Sequence, residues 1–136
     1  MQVTTSTISL TVDDVAASSR FFVTHLGYTE QAAAEGFASL NRPDAAVDVV
    51  LLRRGIEVLP EGFRDRHADG LILAFTVDDL SAQEARMKEE GVAITMALRE
   101  EPWGEKLFQV TDPNGIVIQF VEWADQGAPE DAAALT

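Results

Sequence analysis

Residues 100–123 read EEPWGEKLFQVTDPNGIVIQFVEW, and the fold follows from this stretch. Two alternating, β-prone runs, 106–111 and 116–123, flank Asp112-Pro113-Asn114-Gly115. Proline at the second turn position presets φ, and glycine supplies the positive φ that a tight reversal needs. The pattern predicts a β-hairpin. Trp103 stands at the head of its first strand, between Pro102 and Gly104.

Working back from the hairpin, residues 71–77 alternate: Leu71, Leu73, Phe75 and Val77 oppose Ile72, Ala74 and Thr76. Thr76-Val77-Asp78-Asp79-Leu80 then repeats Thr11-Val12-Asp13-Asp14-Val15. The strand before that earlier copy, 4–12, alternates in the same way, with Ile8, Leu10 and Val12 on one face. Asp14 suits the N-cap of a helix to Leu26, with Val15, Ser19, Phe22 and Leu26 along one stripe and Gly27 as its left-handed stop. Strands are predicted over 28–33, 36–41 and 47–53, the last two separated by Arg42-Pro43-Asp44. In the second half a helix over 80–90 stops at Gly91, Ser81 and Glu84 suit a capping box, and strands follow over 92–97, 106–111 and 116–123. Each half is therefore a strand, a helix and three strands. This predicts one domain over 1–123, made of modules at about 4–53 and 69–123 joined by a loop over 54–68. Residues 124–136 are expected to form a flexible tail.

With 136 residues the chain suffices for one core. Its net charge of −13 argues against nucleic acid or an anionic membrane as partner, since phosphates need clustered Lys and Arg. The same charge would attract a cationic small ligand. No apolar run is long enough for a membrane span. The first ten residues, MQVTTSTISL, lack the basic and apolar regions of a signal peptide. Cysteine is absent, so disulfides, thiolate metal sites and cysteine nucleophiles are excluded. A cytoplasmic location is the expectation.

The chain resembles the vicinal-oxygen-chelate superfamily of glyoxalase I, extradiol dioxygenases and bleomycin-resistance proteins. The resemblance rests on Leu10-Thr11-Val12-Asp13-Asp14, on Phe21-Phe22 leading to Leu26-Gly27-Tyr28, and on Asp112-Pro113-Asn114-Gly115. It implies an α+β fold of two βαβββ modules, whose mixed sheets curl into a cup with the helices outside. The superfamily's usual metal-ligand positions fall here on Thr7, Ile72 and Gln119, which do not make a divalent centre. The two histidines, His25 and His67, lie elsewhere. No metal and no other cofactor is expected.

The resemblance is closest to the metal-free, bleomycin-resistance branch. It runs through Glu101-Pro102-Trp103-Gly104-Glu105, Phe108 and Asp112-Pro113, with Phe37-Ala38 and Arg42. Those proteins act as dimers that sequester a drug between subunits without altering it. The resemblance implies the same here: a homodimer, with Trp103 stacking on a planar ligand.

Strand parity then assigns the cup wall. If Thr7 faces the cup, so do Ser9 and Thr11, while Ile8, Leu10 and Val12 meet the helix. Asp48, Val50 and Leu52 belong to the cup, because a helix-facing core would not welcome a carboxylate. Ile72, Ala74 and Thr76, and Val117, Gln119 and Val121, turn the same way. So do Trp103, Leu107 and Gln109, leaving Phe108 and Val110 to the core, and Phe37 joins the wall. The candidate ligand-binding set is Trp103, Phe37, Thr7, Ser9, Asp48, Val50, Leu52, Ala74, Leu107, Gln109 and Gln119.

Such a wall suits a large, flat, partly polar molecule. Bleomycin-, mitomycin-, quinone- and enediyne-like antibiotics all remain open. No catalytic residue is assigned, since no nucleophile stands beside a base. The alternative is a metal-independent lyase or isomerase of natural-product metabolism, using Asp48 or a loop acid such as Glu57. A metal-dependent glyoxalase or dioxygenase ranks below both.

Overall fold

Leu10 and Val12 lie on one side of the first strand, and both are fully buried. The computed structural model describes residues 1–123. The tail expected over 124–136 lies outside the described residues. The order is β1 (Ser6–Val12), α1 (Val15–Leu26), β2 (Thr29–Ala34), β3 (Phe37–Asn41), β4 (Val47–Arg53), α2 (Glu61–Arg64), β5 (Ile72–Thr76), α3 (Leu80–Glu89), β6 (Ile94–Glu100), β7 (Glu105–Thr111) and β8 (Val117–Trp123). These elements form an α+β fold with two four-stranded mixed sheets.

The chain divides into two compact units. One spans Met1–Gly70 and takes in Asp112–Gly115; the other holds Leu71–Thr111 and the residues from Ile116 onward. In the first unit the strand order is β1-β4-β3-β2, with β1 and β4 parallel. Leu10, Val12, Ala38, Leu40, Val49 and Leu51 form its buried apolar layer with Phe22 and Leu26 of α1. Asp14 caps α1 as expected, accepting from the Ala17 amide at 3.1 Å. Gly27 ends the helix at φ 70°, and the Arg42 guanidinium donates to the Leu26 carbonyl at 2.5 Å.

The turn Asp112–Gly115 groups with this unit because its polar side chains tie it to the start of α1. Asn114 Nδ2 donates to the Asp14 carbonyl at 2.7 Å and to Ser18 Oγ at 2.6 Å, and its Oδ1 accepts from the Asp14 amide at 3.0 Å. The turn also closes on itself, with the Gly115 amide donating to the Asp112 carbonyl at 3.0 Å and Gly115 at φ 86°.

In the second unit the order is β5-β8-β7-β6, with β5 and β8 parallel and the β7–β8 hairpin in unbroken antiparallel register. Phe108 stacks on Phe120, and Phe120 on Phe75, with centroids 4.9 and 5.9 Å apart. Leu80 and Met87 of α3 are buried with Phe108, Val110 and Ile118.

Three local expectations differ from the structure. The loop after β4 contains the single turn α2, whose Pro60 N-cap and internal Gly62 hide a helical signal. The capping box is not formed: Asp79 is the N-cap, Ser81 lies inside α3, and Glu84 instead accepts from the Leu98 amide at 2.9 Å. The sixth strand runs on to Glu100, past the expected stop at Ala97, through two register shifts against β7.

Candidate functional site

The first unit presents a sheet face turned away from α1. Register places Thr7 beside Asp48, Ser9 beside Val50, and Thr11 beside Leu52. On the far side of β4, Ser39 neighbours Val50 and Phe37 neighbours Leu52. Thr7 and Ser9 are exposed; Phe37, Asp48, Val50 and Leu52 are half-buried. The face is thus two exposed hydroxyls, one carboxylate and an apolar strip. Asp48 has no basic side chain as register partner, so no acid–base pair arises from this row.

The second unit presents its own face turned away from Phe108, Phe120 and α3. One row across it is Met96, Gln109, Gln119 and Ala74; the next is Arg99, Leu107, Val121 and Thr76. Gln109 Nε2 donates to Gln119 Oε1 at 2.8 Å. Leu107 is buried, Gln109 and Gln119 half-buried, and Ala74 exposed.

Trp103 does not lie on β7 but in the turn ahead of it, where the Gly104 amide donates to the Glu101 carbonyl at 3.0 Å. Its side chain is 49% exposed, and its Nε1 donates to Glu105 Oε1 at 3.0 Å. Glu105 in turn neighbours Trp123 across the β7–β8 ladder. The expected ligand-binding residues therefore fall into two sets. Thr7, Ser9, Phe37, Asp48, Val50 and Leu52 share a face in one unit; Ala74, Leu107, Gln109 and Gln119 share a face in the other, with Trp103 in the turn ahead of β7. Sequence reasoning passed over Glu105 and Trp123. Both have the parity of residues it chose, Glu105 with Leu107 and Trp123 with Gln119 and Val121. Extending each alternation to the strand's end would have found them.

Arg42, part of the resemblance, has a structural task. Besides the Leu26 carbonyl it holds Asp44, through Nε at 2.5 Å, and this hydrogen bond raises the guanidinium pKa and lowers that of the carboxyl. Burial pushes the Tyr28 phenol up; Arg42 opposes that shift, and Asp48 and Asp44 add to it. His25 packs edge-on against Phe21, centroids 5.1 Å apart.

The donor chemistry does not fit a divalent metal. Thr7 and Ile72 offer no anionic or imidazole ligand, and the Gln119 oxygen already accepts from Gln109. Among the described residues no three His, Asp or Glu side chains gather in a group able to hold an ion.

The model of the Glyoxalase/Bleomycin resistance protein/Dioxygenase superfamily matches residues 4–120. The chain belongs to this superfamily. A glyoxalase/bleomycin resistance protein/dioxygenase from Nocardioides has the same fold, at TM-score 0.75 and 21% identity, covering 95% of this chain and 89% of that one. A lactoylglutathione lyase from Agrobacterium tumefaciens superposes at TM-score 0.71 with 17% identity, covering 93% and 98%. An antibiotic binding protein from Streptomyces does so at TM-score 0.66 with 25% identity, covering 90% and 97%. No curated protein matches the chain in sequence. The superfamily thus contributes a scaffold on which both enzymes and binding proteins are built, and the fold alone does not choose between them. Among the described residues, no helix of this superfamily member is long and apolar enough to cross a membrane.

Proposed function

We propose that this protein sequesters a bulky, partly planar natural-product antibiotic without metal and without changing it, as a cytoplasmic homodimer of the self-resistance type. The observation that carries this reading is the Trp103 indole. It is half exposed in a turn, its ring nitrogen is engaged by Glu105, and no other ring stacks on it among the described residues. An indole fixed by its N–H offers a π face at little further entropic cost, suited to stacking on a flat molecule.

Two further observations support the reading. The sheet faces carry hydroxyls, amides and apolar side chains rather than a nucleophile with its base, as suits a binding surface. The Streptomyces antibiotic binding protein shares a quarter of its residues with this chain over most of both lengths. In the proposed dimer a second copy completes the enclosure of the ligand.

The test is calorimetric titration of wild type and Trp103→Ala with bleomycin, mitomycin, a quinone and an enediyne compound. At least one compound is expected to bind the wild type, with Kd raised about tenfold or more in the variant. Equal affinities for an equally folded variant would remove Trp103 from the site, and the reading with it.

A further inference from the structure

Gln109 and Gln119 stand directly opposite each other on β7 and β8, and one hydrogen bond joins their amides. Each primary amide has two N–H donors and one carbonyl oxygen. The shared bond uses the Gln119 oxygen and one Gln109 N–H. The Gln109 oxygen, its second N–H and both Gln119 N–H groups have no other partner among the described residues.

Their nearest neighbours on the face are mostly apolar. The row neighbours are Met96 beyond Gln109 and Ala74 beyond Gln119. Along the strands the same face continues with Leu107 and Val121 in one direction, and Thr111 and Val117 in the other. Every immediate neighbour is uncharged, and Ala74 is too short to fill the space beside Gln119. Apart from the Thr111 hydroxyl, which bonds to that of Thr95 at 3.0 Å, these neighbours are apolar, and the pair holds one free acceptor and N–H donors in fixed relation. Rotating both amides together preserves the bond and exchanges which residue donates outward. The pair therefore presents a donor and an acceptor in either order.

We infer that the Gln109–Gln119 pair is the polar recognition element of the ligand site, and that it takes an uncharged flat group bearing an N–H or O–H and a carbonyl on one edge, of the lactam or hydroxy-ketone kind. The inference rests on the sequestration reading and deepens it. A carboxylate edge is disfavoured twice: the outward amide oxygen repels it, and so does a chain of net charge −13. A ligand with only one of the two groups leaves the other amide unsatisfied as it is covered, which is what makes such a pair selective.

The probes are phenanthridin-6(5H)-one, a flat lactam, and phenanthridine, which has the same three rings but neither the N–H nor the carbonyl. Calorimetry on the wild type is expected to show the lactam binding at least about fivefold tighter, the effect of one or two neutral hydrogen bonds. The ratio is expected to collapse towards one in Gln109→Leu/Gln119→Leu. The single variant Gln119→Glu, which keeps an acceptor for Gln109 but loses the donor, is expected to lose the preference as well. Saturation with the lactam should also shift the Gln119 side-chain amide resonances in the wild-type spectrum. Equal affinities for the two probes, or a preference that survives both variants, overturns the inference. Drug binding by the wild type with no lactam binding overturns it alone, whereas absence of both removes the sequestration reading beneath it.

Discussion

The Ser18 hydroxyl donates to the Asp112 carboxylate across 94 residues of chain, with Ser18 0% and Asp112 4% exposed. Together with Asn114 it fixes the Asp-Pro-Asn-Gly turn against the first turns of α1. The most conspicuous motif in the sequence thus has a structural task. Ser18→Ala withdraws a donor from a buried carboxylate and should destabilise the protein by about 1–3 kcal/mol. Thermal or urea denaturation reads this directly, and an unchanged midpoint would contradict the role given to the cluster.

Gly27 is constrained twice. Its φ of 70° strains any side-chain-bearing residue, and a Cβ there would lie 2.9 Å from Arg42 Nη1. Gly27→Ala should destabilise by roughly 1–2 kcal/mol from the backbone alone. Because the clash involves a side chain, the double variant with Arg42→Ala should be less destabilised than the two single effects summed. Strict additivity in a denaturation cycle would show that the close approach carries no energy.

Tyr28 is the only tyrosine, so its ionisation can be followed by absorbance. Its pKa is raised above the ordinary 10.0, chiefly by burial. The folded state therefore holds this proton more tightly than the unfolded state. The resulting stability is full below pH about 10 and is lost as pH rises towards the folded pKa. The tyrosinate midpoint of the native protein should exceed 10.0. Tyr28→Phe should flatten the alkaline fall in stability from that cause. A native midpoint at or below the ordinary value would contradict the assignment.

Trp103 and Glu105 should behave as a unit in binding. Trp103→Phe keeps a stacking ring but loses the N–H that anchors it, so its affinity should fall between wild type and Trp103→Ala. Glu105→Gln retains an acceptor oxygen and should change affinity by less than Trp103→Phe. Calorimetric Kd values for the four proteins give the order, and a tighter-binding alanine variant would reverse the argument.

Much of the fold was legible because its signals are local. The alternation of 106–111 and 116–123, the Asp14 cap and the Gly27 stop each act within a few residues, and each is found in the structure. The four-residue α2 was not legible, since one helical turn that follows Pro60 and contains Gly62 has no periodicity to read. The reach of β6 to Glu100 was masked by Arg99 and Glu100, charged residues tolerated on an exposed edge strand. Parity put the right residues together on each sheet face, Thr7 with Asp48 and Gln109 with Gln119. It gave no hint that the two glutamines bond to each other or that Ser18 reaches Asp112. The first depends on side-chain orientation within the hairpin and the second joins segments 94 residues apart, and alternation encodes neither.

The central claim is that the ligand is held and returned unchanged. Its most direct test is titration of the metal-stripped protein against the antibiotic panel by tryptophan fluorescence, with mass analysis of each mixture after incubation. The account predicts saturable quenching at about one ligand per subunit, with the compound recovered at its original mass. A changed mass would make the protein a metal-independent enzyme, and binding that appears only when a divalent metal is restored would contradict the reading of Thr7, Ile72 and Gln119.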